Sequence, residues 1–122
     1  MKKVKISWRE IHKGVVVLEK KIKQSKWPIK NIYGIPRGGL VLAVMLSHRL
    51  DIPLVVDLRS VNKNTLVVDE IADSGKTLLK LMSKKKVGLI ASLYTRKTSL
   101  FIPQCTAFKL VGKEYLVFPW EV

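Results

Sequence analysis

The chain has 122 residues, of which 48% are hydrophobic and 26% are charged. This length supports one hydrophobic core, and this composition excludes a disordered tail or a collagen-like repeat. Lysine and arginine together number 23 against 9 acidic residues, which gives a formal net charge of +14. Such an excess predicts an anionic partner: a nucleic acid, a membrane surface or a small phosphorylated molecule.

Cysteine content and hydropathy indicate where such a protein would reside. The single cysteine, Cys105, excludes an internal disulfide and a cysteine-based metal cluster, and it favours a reducing compartment. The first residues lack the apolar run of a signal peptide, and no apolar stretch approaches the roughly 18 residues that span a bilayer. We therefore expect a cytoplasmic protein, without a membrane segment, that forms a single domain over residues 1–122.

Periodicity and turn residues predict an alternation of helices and strands along the chain. The first predicted element is a helix that Ser7 and Glu10 cap and Pro28 ends, and its apolar face consists of Ile11, Val15, Leu18 and Ile22. A strand over 29–35, a turn over 36–39, a helix over 40–50 and strands over 53–56 and 65–69 follow. The remaining predicted elements are a helix over 77–84, a strand over 87–94, and short strands over 106–110 and 115–118.

This alternation predicts the fold class. Strands that alternate with helices are typical of an α/β protein with a mainly parallel central sheet and helices on both faces. Ligands of such sheets bind at the carboxyl ends of the strands. The turn over 36–39 and the loop over 70–76 both follow predicted strands, so we expect them to lie together at that edge.

The segment 66–77 carries the strongest functional signal. Asp69, Glu70 and Asp73 are three of the nine acidic residues, and they fall within five positions. The sequence Ser-Gly-Lys-Thr over 74–77 follows and opens the next helix, whose first amides are suited to bind an anion. A phosphate site with carboxylates beside it predicts a phosphorylated sugar, because the carboxylates can hold the sugar hydroxyls.

This segment has two other interpretations. The Gly-Lys-Thr end resembles a nucleoside-triphosphate P-loop, but that motif requires a glycine where this chain has Glu70. A simple helix cap explains Asp73 or Ser74, since both residue types favour helix starts. Capping does not explain two acids directly after a buried strand, so a functional role is favoured.

Three separated segments resemble one enzyme family. Residues 67–77 resemble the ribose-phosphate signature of type I phosphoribosyltransferases: two acids, two spacers, Asp, Ser or Thr, Gly, any residue, Thr. Residues 37–41, Arg-Gly-Gly-Leu-Val, resemble the pyrophosphate loop of the xanthine-guanine and hypoxanthine enzymes. Residues 115–121 resemble their C-terminal hood, and residues 7–12 are similar to their opening segment. The resemblance implies the type I phosphoribosyltransferase fold with a small hood over about residues 99–122.

The resemblance also implies a reaction. Such an enzyme transfers the 5-phosphoribosyl group of phosphoribosyl pyrophosphate to a 6-oxopurine (guanine, xanthine or hypoxanthine) and releases pyrophosphate. Magnesium would bridge the ribose and pyrophosphate oxygens. Relatives are commonly dimers or tetramers, so we expect a homodimer or a higher homo-oligomer.

Motif positions then assign expected roles. Asp69 and Glu70 would bind the ribose hydroxyls, directly or through magnesium, and Asp73 would relay a proton of the purine imidazole edge. Arg37 and Gly38 would meet the pyrophosphate, at a place where family members often have a cis peptide. The residues expected to cradle the 5′-phosphate are Asp73, Ser74, Gly75, Lys76 and Thr77. The residues expected to contact the base are Arg96, which takes the place of a family lysine, with Lys97, Tyr115 and Leu116.

Departures from the family pattern leave alternatives open. Family enzymes carry a long mobile loop between the second and third strands, whereas this chain has only residues 57–64 there. Glu70 also replaces the more usual second aspartate. The missing loop and the charge of +14 leave a second hypothesis: a catalytically weakened regulator that binds nucleotide or RNA. A weaker alternative is the same chemistry on a pyrimidine or another acceptor.

Overall fold

A computed structural model describes residues 2–122, and ten regular elements lie within them. The elements, in chain order, are β1 (Lys3–Lys5), α1 (Trp8–Ser25), β2 (Asn31–Gly34), α2 (Gly38–Leu50), β3 (Leu54–Val55), β4 (Thr65–Ala72), α3 (Lys76–Lys84), β5 (Leu89–Arg96), β6 (Cys105–Leu110) and β7 (Tyr115–Val117). A short 3-10 turn over Leu58–Ser60 lies between β3 and β4.

The central sheet has five strands in the order β3-β2-β4-β5-β6, and all of its pairs are parallel. Alternate residues of β4 face opposite sides of the sheet. Val68 packs in one core with the buried faces of α1 and α2, whereas Val67 packs in a second core with Leu78 of α3. Helices therefore cover both faces, and the predicted α/β architecture is confirmed.

Helix α1 shows how local sequence sets an element's bounds. The Glu10 amide donates to the Ser7 hydroxyl at 3.2 Å, and the Ser7 amide donates to the Glu10 carboxylate at 3.3 Å, so the predicted capping box is present. The helix ends at Lys26, whose φ of 57° is left-handed. The predicted apolar face is the one that the structure buries.

Strand β4 is longer than predicted, and this corrects the position of the acids. Its parallel pairing with β5 continues through Ala72, which lies opposite Thr95. The predicted end at Asp69 is wrong because the pattern of side chains ends there while the backbone ladder continues. Glu70 consequently lies within the strand, as Asp69 does, rather than in the predicted loop over 70–76.

The C-terminal region divides between two sheets. Strand β6 is the edge strand of the central sheet, so only residues after Leu110 lie with the small sheet. That small sheet is the parallel pair of β7 and β1, and β1 was not predicted. A Lys-Val-Lys strand of three residues has too little pattern to indicate a strand, and its partner is distant in sequence.

The connection between β3 and β4 is short, as the sequence indicated. It covers residues 56–64, where the Asp57 carboxylate accepts a hydrogen bond from the Arg59 amide at 2.9 Å and pairs with its guanidinium. Val61 anchors the connection in the core. Over residues 2–122, no helix combines the length and the apolarity that crossing a membrane requires.

Candidate active site

One cavity of about 280 Å³ lies at the carboxyl edge of the central sheet. The turn after β2, the end of β4 and the start of α3 form its walls. These segments meet because β2 and β4 are neighbouring parallel strands, whose ends point the same way. The lining residues are Ile35, Pro36, Arg37, Asp69, Glu70, Ile71, Ala72, Asp73, Ser74, Gly75, Thr77 and Leu78.

Two adjacent carboxyls lie in the strand wall of the cavity. Asp69 is only 7% exposed, and its carboxylate accepts a hydrogen bond from the Glu70 amide at 2.9 Å. Burial raises the pKa of the Asp69 carboxyl well above its usual range, and the neighbouring Glu70 carboxyl adds to the rise. A cation at this position would reverse the shift, since it stabilises the ionised form.

Glu70 extends from β4 toward the turn after β2. A Cβ built on Gly38 would lie 1.2 Å from Glu70 Oε2, so the carboxylate occupies the space that a side chain at position 38 would fill. Gly39 lies close to the backbone of β4, since a Cβ at this position would lie 2.7 Å from the Val68 carbonyl oxygen. The peptide bond between Pro36 and Arg37 is cis, as the family resemblance implied.

The loop between β4 and α3 has the form of an anion site. Gly75, the N-cap residue of α3, adopts a φ of 84° and has no side chain to cap the helix. The Lys76 amide donates to the Ser74 hydroxyl at 3.3 Å, and the later amides of the first turn lie beside the Thr77 hydroxyl, in the arrangement that binds anions at helix starts. The loop is held from behind by a second turn: the Leu100 amide donates to the Ser74 carbonyl at 2.8 Å.

Asp73 is bound by a side chain of β5. The Arg96 Nε donates to Asp73 Oδ1 at 2.5 Å, while its Nη1 donates to the Gly112 carbonyl at 2.6 Å and its Nη2 to the Glu114 carbonyl at 2.9 Å. The Arg96 side chain is 13% exposed and the Asp73 side chain is 61% exposed. Asp73 therefore presents its remaining surface to solvent.

The predicted residues fall into two groups in the structure. All those expected to bind the sugar, its phosphate and the pyrophosphate line the cavity, except Gly38, which lies under Glu70, and Lys76. Those expected to bind the base do not line it. Lys97 borders a separate cavity of about 410 Å³, and the half-exposed Tyr115 lies on β7 beside the buried Leu116.

Sequence reasoning did not identify three participants in this site. The carbonyls of Gly112 and Glu114 hold Arg96, and Ser99 packs against Gly75, whose Cβ would lie 2.6 Å from the Ser99 hydroxyl. Backbone carbonyls have no side-chain signature. Of these residues, only Gly112 has a sequence signal, and it is a weak one: a glycine after β6 indicates a turn.

The acids of the cavity are suited to magnesium. Carboxylate oxygens are ligands that Mg²⁺ prefers, and this ion commonly uses one or two carboxylates together with substrate oxygens. Asp69 and Glu70 supply two carboxylates side by side. Within residues 2–122, no three His, Cys, Asp or Glu side chains are placed to hold one metal ion together.

Comparison with known proteins places this geometry in a family. No family model matches the chain. A solved structure from Pyrococcus horikoshii, described as a purine phosphoribosyltransferase, is 31% identical, with a TM-score of 0.83 and coverage of 100% of this chain and 96% of that one. A Helicobacter pylori xanthine-guanine-hypoxanthine phosphoribosyltransferase shares the fold at 23% identity, with a TM-score of 0.82 and coverage of 98% and 94%.

A curated relative agrees with these structures. The xanthine-guanine phosphoribosyltransferase of Nitratidesulfovibrio vulgaris is 24% identical over 136 aligned positions, which cover 95% of this chain and 83% of that protein. Fold, motif order and a relative of more than 30% identity along the full chain all agree. The chain therefore belongs to the type I phosphoribosyltransferase family and is similar to its purine-salvage members.

Proposed function

We propose that the protein transfers the 5-phosphoribosyl group of phosphoribosyl pyrophosphate to a 6-oxopurine, with guanine, xanthine or hypoxanthine as acceptor, and releases pyrophosphate. The observation that carries this proposal is the meeting of two strand carboxyls, an uncapped helix start and the Arg37 turn around one cavity. These groups match the three features of the donor substrate: a ribose diol, a 5′-phosphate and a pyrophosphate.

The 5′-phosphate binds at the start of α3. Backbone amides and the hydroxyls of Ser74 and Thr77 donate to its oxygens, and the adjoining Lys76 adds positive charge. The left-handed conformation of Gly75 lets the backbone turn tightly around the anion. Asp73 contributes to this cradle through its position at the start of the loop.

The ribose hydroxyls bind to Asp69 and Glu70, and the pyrophosphate binds at Arg37 and Gly38. Asp69 and Glu70 would hold a magnesium ion, which would supply neutralisation of the negative charge on the pyrophosphate. Support comes from the reach of Glu70, whose carboxylate already lies against Gly38 of the pyrophosphate turn. The two carboxyls thus border both the sugar and the leaving group.

The reaction requires positioning more than a covalent nucleophile. A purine nitrogen attacks the anomeric carbon as the pyrophosphate leaves, and the sugar carries positive charge in between. Asp73 lies at the cavity wall with an exposed carboxylate, where it accepts the proton that the imidazole edge loses. Removal of this proton keeps the attacking nitrogen nucleophilic.

The acceptor base binds between the cavity and the C-terminal strand. Arg96 and Lys97 place positive charge near the base, which favours a 6-oxo group over a 6-amino group. Tyr115 is 47% exposed and supplies an aromatic surface for stacking, while the backbone at Leu116 reads the base edge. The names of the curated relatives support a 6-oxopurine acceptor.

Turnover with a panel of bases tests the proposal. With magnesium and phosphoribosyl pyrophosphate, we expect nucleotide from guanine, hypoxanthine or xanthine but not from adenine or uracil. Asp73→Asn should lower kcat at least about 100-fold while donor binding persists, because the substitution removes the proton acceptor and keeps the shape. Turnover of a pyrimidine only, or of no base by the folded protein, would refute it.

The alternative role as a nucleotide- or RNA-binding regulator has a separate signature. It predicts RNA binding that weakens steeply with salt, together with nucleotide binding without turnover.

The short connection over 56–64 also bears on assembly. We propose a cytoplasmic homodimer or higher homo-oligomer in which a neighbouring subunit covers the cavity, and sedimentation with and without substrate measures this.

A further inference from the structure

Arg96 makes contacts that its expected role does not require. Its guanidinium donates to the Asp73 carboxylate and to two backbone carbonyls, those of Gly112 and Glu114. Every nitrogen of the fork has a partner within the protein, and the side chain is nearly buried. Three of the five N–H donors of the guanidinium are therefore used within the protein, and these three contacts fix the position of the group.

We infer that Arg96 is a positioning residue: it fixes the Asp73 carboxylate and ties that carboxylate to residues 111–116, the segment that carries the proposed base-stacking Tyr115. This inference rests on the proposed function and changes one assignment within it. Arg96 acts on the reaction through Asp73, and the base is read by other groups.

The geometry favours this role for an arginine in particular. Three donors of one rigid fork reach a carboxylate from the loop after β4 and two carbonyls from the turn before β7. A lysine has one nitrogen and cannot span these positions at once. Since a charge-assisted hydrogen bond orients the carboxylate that holds it, Asp73 keeps one oxygen on Arg96 and directs the other outward.

The link also joins two sides of the site. The loop over 73–75 is held a second time from the β5 side, where Ser99 donates from its amide to the Arg96 carbonyl and Leu100 donates to the Ser74 carbonyl. Asp73 and the 111–116 segment therefore respond together when Arg96 is changed. This coupling distinguishes a positioning role from direct contact with the base.

Three variants and one control test the inference. Arg96→Gln removes all charge-assisted donors, Arg96→Lys restores the ion pair alone, and Asp73→Asn/Arg96→Gln removes both partners. Lys113→Gln is the matched control. Lys113 is exposed and lies in sequence between Gly112 and Glu114, and its substitution removes one positive charge, as Arg96→Gln does. For each protein, kcat and KM are measured for hypoxanthine, turnover of adenine is assayed, and hydrogen exchange is followed over residues 111–117.

The expected pattern is specific. Arg96→Gln should lower kcat by about 10- to 100-fold, the worth of a charge-assisted hydrogen bond, with the KM for hypoxanthine within about threefold. Arg96→Lys should recover part of kcat. Hydrogen exchange over residues 111–117 should accelerate in Arg96→Gln and in Arg96→Lys, and it should stay unchanged in Lys113→Gln. The double variant should be no slower than Asp73→Asn alone, because Arg96 acts through Asp73.

Other results would overturn the inference. If Arg96→Gln raised the KM for hypoxanthine about tenfold or more, or gained turnover of adenine, Arg96 would contact the base. If exchange over 111–117 were unchanged, the tie to this segment would be refuted. If the wild-type protein turned over no base, the proposed function would fail, and the exchange measurement would still decide whether Arg96 forms the tie. Should Arg96→Gln fail to fold, Arg96→Lys supplies the same comparison.

Discussion

Gly38→Ala separates the chemistry of the cavity from the stability of the fold. The new Cβ would lie 1.2 Å from Glu70 Oε2 and 2.2 Å from Glu70 Cδ, so the carboxylate must move. The obstructing atoms are the end of a flexible side chain, and Gly38 is the first residue of α2 with no left-handed φ. The fold can therefore accept the methyl group, whereas Glu70 cannot keep its position.

The expected magnitudes follow from these contacts. Alanine is a better helix residue than glycine, so the free energy of unfolding should stay within about 1 kcal/mol of the wild-type value. Displacement of Glu70 removes a charged contact to the ribose or its magnesium, which is worth about 1.5–3 kcal/mol, so kcat/KM for phosphoribosyl pyrophosphate should fall about 10- to 100-fold.

Denaturant unfolding and steady-state kinetics on the same preparation measure both quantities. A second substitution provides the control: in Gly38→Ala/Glu70→Asp the shorter side chain avoids the methyl group, and part of the activity should return. Unchanged kcat/KM in Gly38→Ala would refute a role for the Glu70 carboxylate at its observed position. If the free energy of unfolding fell by as much as the free energy that corresponds to the loss of kcat/KM, the substitution would not separate activity from stability, and the reasoning would be refuted.

Three further predictions concern the loop, the metal and the core. Gly75→Ala should destabilise the protein by about 1–3 kcal/mol in denaturant unfolding, because φ is 84° and the Cβ would lie 2.7 Å from the Phe101 amide nitrogen; an unchanged midpoint would contradict this. A chelator should abolish turnover, because Asp69 and Glu70 would lose the magnesium that we propose they hold; turnover that persists with the chelator would contradict this. Burial raises the pKa of Tyr94 to about 12. The stability that the neutral hydroxyl provides is therefore complete below about pH 10 and lost as the pH rises through about 12, so the wild-type unfolding free energy should fall relative to Tyr94→Phe over this range; a constant difference would contradict it.

Much of the architecture follows from local sequence. The capping box at Ser7, the apolar periodicity of α1 and the alternation of helices and strands each reflect interactions between residues close in the chain. The parallel arrangement then follows from connection geometry, and it brings the Arg37 turn to the acids of β4. The meeting of the Arg37 turn and the acids of β4 around one cavity was predictable for this reason.

The remaining features depend on partners distant in sequence. Strand β4 extends to Ala72 because β5 continues to pair with it, and β1 forms because β7 is available to it. The position of Arg96 on β5 was visible in the sequence, but its carbonyl partners near residue 112 were not. The surroundings of the side chains expected to contact the base were therefore the least predictable part of the candidate site.

The most direct test of transfer is a quantitative product analysis. Wild-type protein is incubated with magnesium, phosphoribosyl pyrophosphate and hypoxanthine, and nucleoside monophosphate, pyrophosphate and ribose 5-phosphate are measured together. The proposed transferase predicts nucleotide and pyrophosphate in equal amounts, with little ribose 5-phosphate. Pyrophosphate accompanied mainly by ribose 5-phosphate would show hydrolysis in place of transfer, and the absence of all three products would contradict catalysis at this site.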